Sequence, residues 1–301
     1  MHNHSHNHDH PADVSKKIGL VLALNLGFAL VELVGGLWTG SLYILADALH
    51  DAGDALALAM SLFLEKKAAQ PRDQRYSYGY RRFSLLGALV NSVILTAGAL
   101  WVIRTAIEHL QEPTSPYAPG MIALGFLGLL VNGIGYFKLK GSQNLNQKMV
   151  SLHLLEDFAG WAILLLVAVV LLFWDLPYLD PVFSILFSCY LLLEVAKNLR
   201  AAFRILLMST PKEIDLAELE SELCRHPEVL GLHDTHLWSM DGNYHILTCH
   251  LQVKPELTLA QGQVLKMEIK EMLEKRGIGH ATLELETQGE VCGQENCGPR
   301  P

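Results

Sequence analysis

The 301-residue chain carries a net charge of −8, half of its residues are apolar, and its mean hydropathy is positive. That composition excludes an ordinary soluble globular protein, and the acidic balance gives no electrostatic footprint for nucleic acid. The apolar residues gather between Ile18 and Leu207, after which the sequence becomes charged, so a membrane part precedes a soluble one.

In chain order, the first element is an arm, His2-Asn3-His4-Ser5-His6-Asn7-His8-Asp9-His10. It is a compositional metal-binding signal with no fixed geometry, expected to be disordered over 1–15. It lacks the short apolar segment and cleavage site of a secretory signal. Six runs then approach the length of roughly 20 residues needed to cross a bilayer: Ile18 to Trp38, Leu42 to Leu64, Leu85 to Ile107, Met121 to Phe137, Val150 to Phe173, and Val182 to Val195 with its continuation. The fourth is the shortest, and Gly125, Gly128, Gly133 and Gly135 would let its neighbours approach closely. The membrane domain is thus expected over 16–208.

Orientation follows from the basic residues, which favour cytoplasmic loops. Lys16 and Lys17, the stretch from Lys66 to Arg82, Lys138 to Lys148, and Lys197 to Arg204 all fall on one side, and the intervening loops have none. Both termini are expected in the cytoplasm, most naturally at a plasma or inner membrane. The scattered cysteines do not read as a disulfide framework.

Ionisable residues inside apolar spans are functional-site candidates, since each costs several kcal/mol to insert. In the second span Asp47, His50, Asp51 and Asp54 share one helical face. The fifth repeats the device with His153 and Asp157, one turn apart. Two facing helices could bring two imidazoles and two carboxylates to one point, the donor set of tetrahedral zinc. Without a thiolate copper(I) is disfavoured, and with two imidazoles so are magnesium and calcium. Zinc, cadmium, cobalt and nickel stay open, as does a proton relay without metal.

Beyond Leu207 a helix is expected from Thr210 towards Cys224, a strand over Val229 to Met240, and a turn at Asp241-Gly242-Asn243 into a second strand, Tyr244 to Val253. A helix from Leu259 to Lys275 and a strand from Ala281 to Glu286 complete an α-β-β-α-β order over 209–288, which fits a small α+β ferredoxin-like domain. The tail, 289–301, holds Cys292 and Cys297, whose loose spacing suits a disordered segment as well as a soft-metal site.

The segment Gly40 to Ala48 leading into His50 and Asp54, the pair His153 and Asp157 with Asn144-Leu145-Asn146 before it, and His233-Asp234-Thr235-His236-Leu237-Trp238 together resemble the cation diffusion facilitator family, zinc-transporter type. The likeness spans nearly the whole chain. It implies export of Zn²⁺ from the cytoplasm in exchange for protons by a homodimer, with zinc as transported substrate and regulatory ligand and no organic cofactor. It also associates His50 with preference for zinc over cadmium, and by position it marks His233, His250, His280 and Glu286 as a cytoplasmic metal site. Some relatives carry a further site in the loop between the second and third spans. Here Tyr76, Tyr78 and Tyr80 stand where histidines would fall, so none is expected there, and Ser84 stands where many relatives have an acid.

Two rival functions use the same ligands. A membrane metalloenzyme would need an open position for water, which two His-x-x-x-Asp pairs fill. A metal sensor would need no ligands inside the membrane. A secondary transporter, not an enzyme, is the expectation.

Overall fold

The computed structural model describes residues 11–140 and 145–287, so the His-rich arm, Asn144 and the Cys292–Cys297 tail lie outside it. Six long helices come first: α1 (Pro11–Thr39), α2 (Leu42–Ala68), α3 (Phe83–Gln111), α4 (Ala118–Leu139), α5 (Leu145–Phe173) and α6 (Leu179–Leu206). Each covers one of the expected apolar runs. Four, α3 to α6, are long and apolar enough to cross a membrane. The described apolar part of α1, Asn25–Thr39, is shorter, and α2 carries Asp47, Asp51 and Asp54 within its apolar length.

The described residues divide into two compact units, one made of those up to Phe63 and between Gly87 and Asn198, the other of Leu64–Leu86 and those from Leu199 onward. The first is an inside-out helical packing. Leu30, Val34, Leu37, Val93, Phe126, Leu166, Phe173 and Leu193 are exposed, as expected of surfaces that meet lipid rather than water. Its interior is built around Trp161, 2% exposed, packed with Tyr43, Ile44, Met121 and Leu164.

The tightest seam lies between α4 and α5, and the glycines of α4 explain it. A Cβ at Gly128 would come within 2.1 Å of the Trp161 indole, and one at Gly135 within 2.9 Å of Leu154. The α1–α2 corner is made differently. Gly40 takes a φ of +70°, a region only glycine enters at little cost, and its N–H donates to Gly36 O at 2.8 Å. On the far side of the corner Asp180, in the first turn of α6, accepts hydrogen bonds from Ser41 Oγ and from Leu42 N, the latter at 2.7 Å. This carboxylate caps the start of α2 and so fixes where His50, two turns on, is carried.

The second unit centres on a three-stranded sheet of order β1 (Val229–Ser239), β2 (His245–Val253), β3 (Ile278–Thr287). β1 and β2 pair antiparallel through the expected turn, and β2 and β3 pair parallel. Helices α7 (Leu216–Leu223) and α8 (Leu259–Lys275) close the core with Leu223, Leu247, Leu251, Ile269 and Leu273. The first helix starts later than Thr210, because Asp215 is its N-cap and accepts from Ala217 N and Glu218 N. α8 opens with a capping box formed by Thr258 and Gln261.

The α2–α3 loop belongs to this same unit. Arg81 ties it to the sheet, with its Nη1 3.4 Å from Asp241 Oδ2 and its guanidinium 4.2 Å from the centre of the Tyr244 ring. Within the loop Tyr80 donates to Asp73 Oδ2 at 2.6 Å. That bond, with the backbone N–H of Tyr76, holds the Asp73 carboxyl below its ordinary range.

Candidate metal centres

Helices α2 and α5 bring His50, Asp54 and His153 together, with one potential ligand atom from each lying within 4.8 Å of the others. His153 Nε2 is 3.4 Å from Asp54 Oδ2 on α2 and 3.7 Å from Asp157 Oδ2 on its own helix. Rings of the two histidines meet edge to face, with centroids 6.1 Å apart. Zinc bonds of about 2.0–2.2 Å in a tetrahedron put neighbouring donors about 3.3–3.6 Å apart, so the contact to Asp54 has the span of a tetrahedral edge and that to Asp157 is slightly longer. His50 Nδ1 is buried without a hydrogen-bond partner, and its ring packs edge-on against Phe187 of α6 at 6.3 Å. Three of the four expected residues therefore gather, and Asp157 stands beside them, in contact with His153.

Behind the four stands a group of further acids. Asp47 and Asp51 were visible as part of the α2 face, but Glu32 of α1 was not singled out from the sequence. It is 1% exposed, and its carboxyl meets that of Asp51 inside the bundle. Asp47 and Asp51 both act on it electrostatically. The signal for it was the one used elsewhere: an isolated acid in an apolar run.

A second cluster lies on the sheet, where His233 of β1, His250 of β2 and Glu286 of β3 again offer ligand atoms within 4.8 Å. The register makes this: His233 faces His250 across β1–β2, and Glu286 lies two residues beyond the partner of His250. His250 Nδ1 is 2.6 Å from Glu286 Oε1, and His233 Nε2 is 3.2 Å from Glu286 Oε2. Asp234 and Glu284, which the sequence did not suggest, approach His250 Nε2 at 3.7 and 3.5 Å. Asp234 can do so because the strand is irregular between His233 and His236, where it takes a φ of +50°.

His280 is not brought into this cluster. It pairs with Ile246 whereas Glu286 pairs with Gln252, and six residues of strand separate them by roughly 20 Å. Its ring instead meets Tyr78 of the α2–α3 loop, at 5.9 Å between centroids.

Three cysteines are described, all as free thiols: Cys189 and Cys224 are exposed, and Cys249 is buried. Burial, helped by Glu220, pushes the Cys249 thiol up to about 12.

Comparison with known proteins agrees with this architecture. Residues 18–207 match the cation efflux transmembrane domain, and 211–287 match the cytoplasmic domain of cation efflux proteins. The chain is 33% identical over 292 residues to the zinc transporter ZitB of Escherichia coli (strain K12), covering 95% of this chain and 92% of that one. It is 32% identical over 292 residues to the metal cation efflux system protein CzcD of Cupriavidus metallidurans, covering 95% and 89%. Identity is 29% over 292 residues, covering 95% and 92%, to a Bacillus subtilis protein named as a cadmium, cobalt and zinc/H(+)-K(+) antiporter. With both domains matched across almost its whole length, the chain is an integral membrane protein of the cation efflux, or cation diffusion facilitator, family, whose members are metal transporters and not enzymes.

Proposed function

We propose that the chain exports Zn²⁺ from the cytoplasm, binding it between α2 and α5 through His50, Asp54, His153 and Asp157 and exchanging it for protons by alternating access. Support comes from the convergence of His50, Asp54 and His153, with ligand atoms within 4.8 Å of one another in a helical bundle, and Asp157 3.7 Å from His153. The zinc, cadmium and cobalt named for the relatives all suit such donors.

Coupling to protons follows from the donor chemistry. An imidazole must be neutral to ligate a metal, and its ordinary pKa of ~6.5 lies close to cytoplasmic pH. Metal entering the site displaces protons, and protons entering from the other side displace metal.

Several further features belong to the same reading. All six long helices span the membrane, with the His-rich stretch ahead of α1, which starts at Pro11 and not after the 15 residues expected, and the domain at 209–288 in the cytoplasm of a plasma-type membrane. The cytoplasmic domain is ferredoxin-like and holds two copies of the chain together. His233, His250 and Glu286, with Asp234 or Glu284, take a regulatory zinc ion there, and His280 is left out.

Proteoliposomes containing the purified protein and a zinc-sensitive dye test the proposal. Uptake should follow an imposed pH gradient and should stop in Asp157→Ala. Normal uptake by that variant would remove the membrane cluster from the mechanism.

A further inference from the structure

One pocket of the second unit is unused by metal transport. It has a volume of about 320 Å³ and is lined by Arg75, Tyr76, Ser77, Tyr78 and Arg82 of the α2–α3 loop, with Trp238 of β1 opposite. A cavity of this size accommodates a small ligand or a headgroup. Its charge is anomalous: the chain as a whole is acidic, yet this lining has two guanidinium groups and no carboxylate.

The key observation is Arg82. Its Nε and Nη2 are buried and have no hydrogen-bond partner, whereas the adjacent Arg81 is paired with Asp241 and stacked on Tyr244. Among the described residues neither Arg75 nor Arg82 has an ion-pair partner. A guanidinium cannot shed its charge, and a buried charge without a counter-group is heavily penalised. Such an orphan calls for a partner from outside the chain.

We propose that this pocket binds a phosphate-bearing anion, the chemistry carried by anionic phospholipid headgroups and by free phosphate esters. Phosphate has enough acceptor oxygens to engage the Nε–Nη2 fork of Arg82 and the second guanidinium at once, and Ser77 and the tyrosine hydroxyls add donors. A divalent cation is excluded by the two arginines. Position favours a lipid source. The loop connects α2 with the membrane-crossing helix α3, and Met208, two residues beyond the end of α6, also lines the pocket. On the proposed topology each of these segments directly adjoins a span, which would put it near headgroup phosphates.

The test uses full-length protein, stripped of lipid in neutral detergent, with thermal unfolding and tryptophan fluorescence as readouts. One arm titrates inorganic phosphate and glycerol 3-phosphate, with chloride at matched ionic strength as control. The other compares nanodiscs of phosphatidylcholine with nanodiscs containing phosphatidylglycerol. Saturable stabilisation by phosphate-bearing species, weakened roughly tenfold or more in Arg82→Gln, is the expected result. Response to phosphatidylglycerol alone identifies the lipid as the ligand, and response to glycerol 3-phosphate as well identifies the phosphate ester as sufficient. Equal effects of chloride and phosphate, or wild-type affinity in Arg82→Gln, would overturn the site. Should Arg82→Gln fail to fold, the exposed Arg75→Gln serves, and unchanged affinity there would refute a two-arginine pocket.

Discussion

Replacing Gly128 with alanine should disturb the transport site without touching a ligand. The added Cβ would stand 2.1 Å from the Trp161 indole, about 1.5 Å short of an ordinary carbon contact. Trp161 has no room to withdraw, being 2% exposed and packed against Tyr43, Ile44, Met121 and Leu164. The strain must therefore be relieved by separating α4 from α5, at about 1–3 kcal/mol for overpacking of this kind. Trp161 is one turn beyond Asp157 on the same helix, so the backbone that moves also carries the ligand. The expected outcome is a lower midpoint of thermal unfolding in detergent together with slower zinc uptake in proteoliposomes. The double variant Gly128→Ala/Trp161→Leu should recover part of the stability, because the indole that collides has gone. Wild-type stability and rate in Gly128→Ala would mean that the α4–α5 seam has slack and does not position Asp157.

Other expectations follow from individual groups. Asp157→Ala and Asp54→Asn should each lower pH-driven zinc uptake by about a hundredfold or more, read in the dye assay; a loss of a few-fold only would deny them a ligand role. His50→Asp should relax the preference for zinc in favour of cadmium as the family resemblance implies, measured as the ratio of the two uptake rates, and an unchanged ratio would dismiss that inference. His250→Ala and Glu286→Gln should lower the zinc retained after dialysis while His280→Ala leaves it unchanged; equal losses in all three would mean the strand register does not govern the site. Cys249, with its thiol pushed up to about 12, should resist maleimide at pH 8 while Cys224 is labelled. Because an unfolded thiol ionises near about 8.5, the stability linked to Cys249 is intact below that pH and lost as pH rises through about 12, which alkaline unfolding of Cys249→Ala against wild type would measure.

Much of the architecture was legible because lipid imposes simple rules. Runs of about 20 apolar residues marked the helices, and the glycines of the fourth run announced a close neighbour, but that the neighbour is α5, through Trp161 and Leu154, is visible only in the fold. Spacing of four residues gave the His50–Asp54 and His153–Asp157 pairs, since one helical turn sets the direction of both side chains. What stayed hidden depended on tertiary register. Asp180 reads as a loop residue until α6 is seen to carry it beneath the first turn of α2. His280 and Glu286 look equivalent by position in the family, but only the pairing with β2 shows that a length of strand divides them. Asp234 reaches His250 through a backbone irregularity that composition does not announce. Arg82 was just one of several loop cations until its neighbours were known. Glu32 is different, for an isolated acid in the first apolar run is readable from the sequence alone.

Charge balance ties the membrane cluster to ion exchange more firmly than ligand geometry alone. Zn²⁺ held by Asp54, Asp157 and two neutral imidazoles sums to zero, so the loaded site can sit in a low-dielectric interior with little electrostatic penalty. Emptied of metal, the same groups leave two negative charges facing one another, with Glu32, Asp47 and Asp51 close behind on α1 and α2. A site in that state is costly to carry back through an occluded conformation unless positive charge replaces what left. On the proposed ligand set and exchange, the return load would supply about two charges per zinc, carried as protons on imidazole and carboxyl or as another monovalent cation, and the acids behind the ligands would widen the choice of groups that can hold it. On this view the excess of carboxyls over ligands is part of the exchange chemistry: two acids hold the metal, and the others help to accommodate the cations for which it is traded.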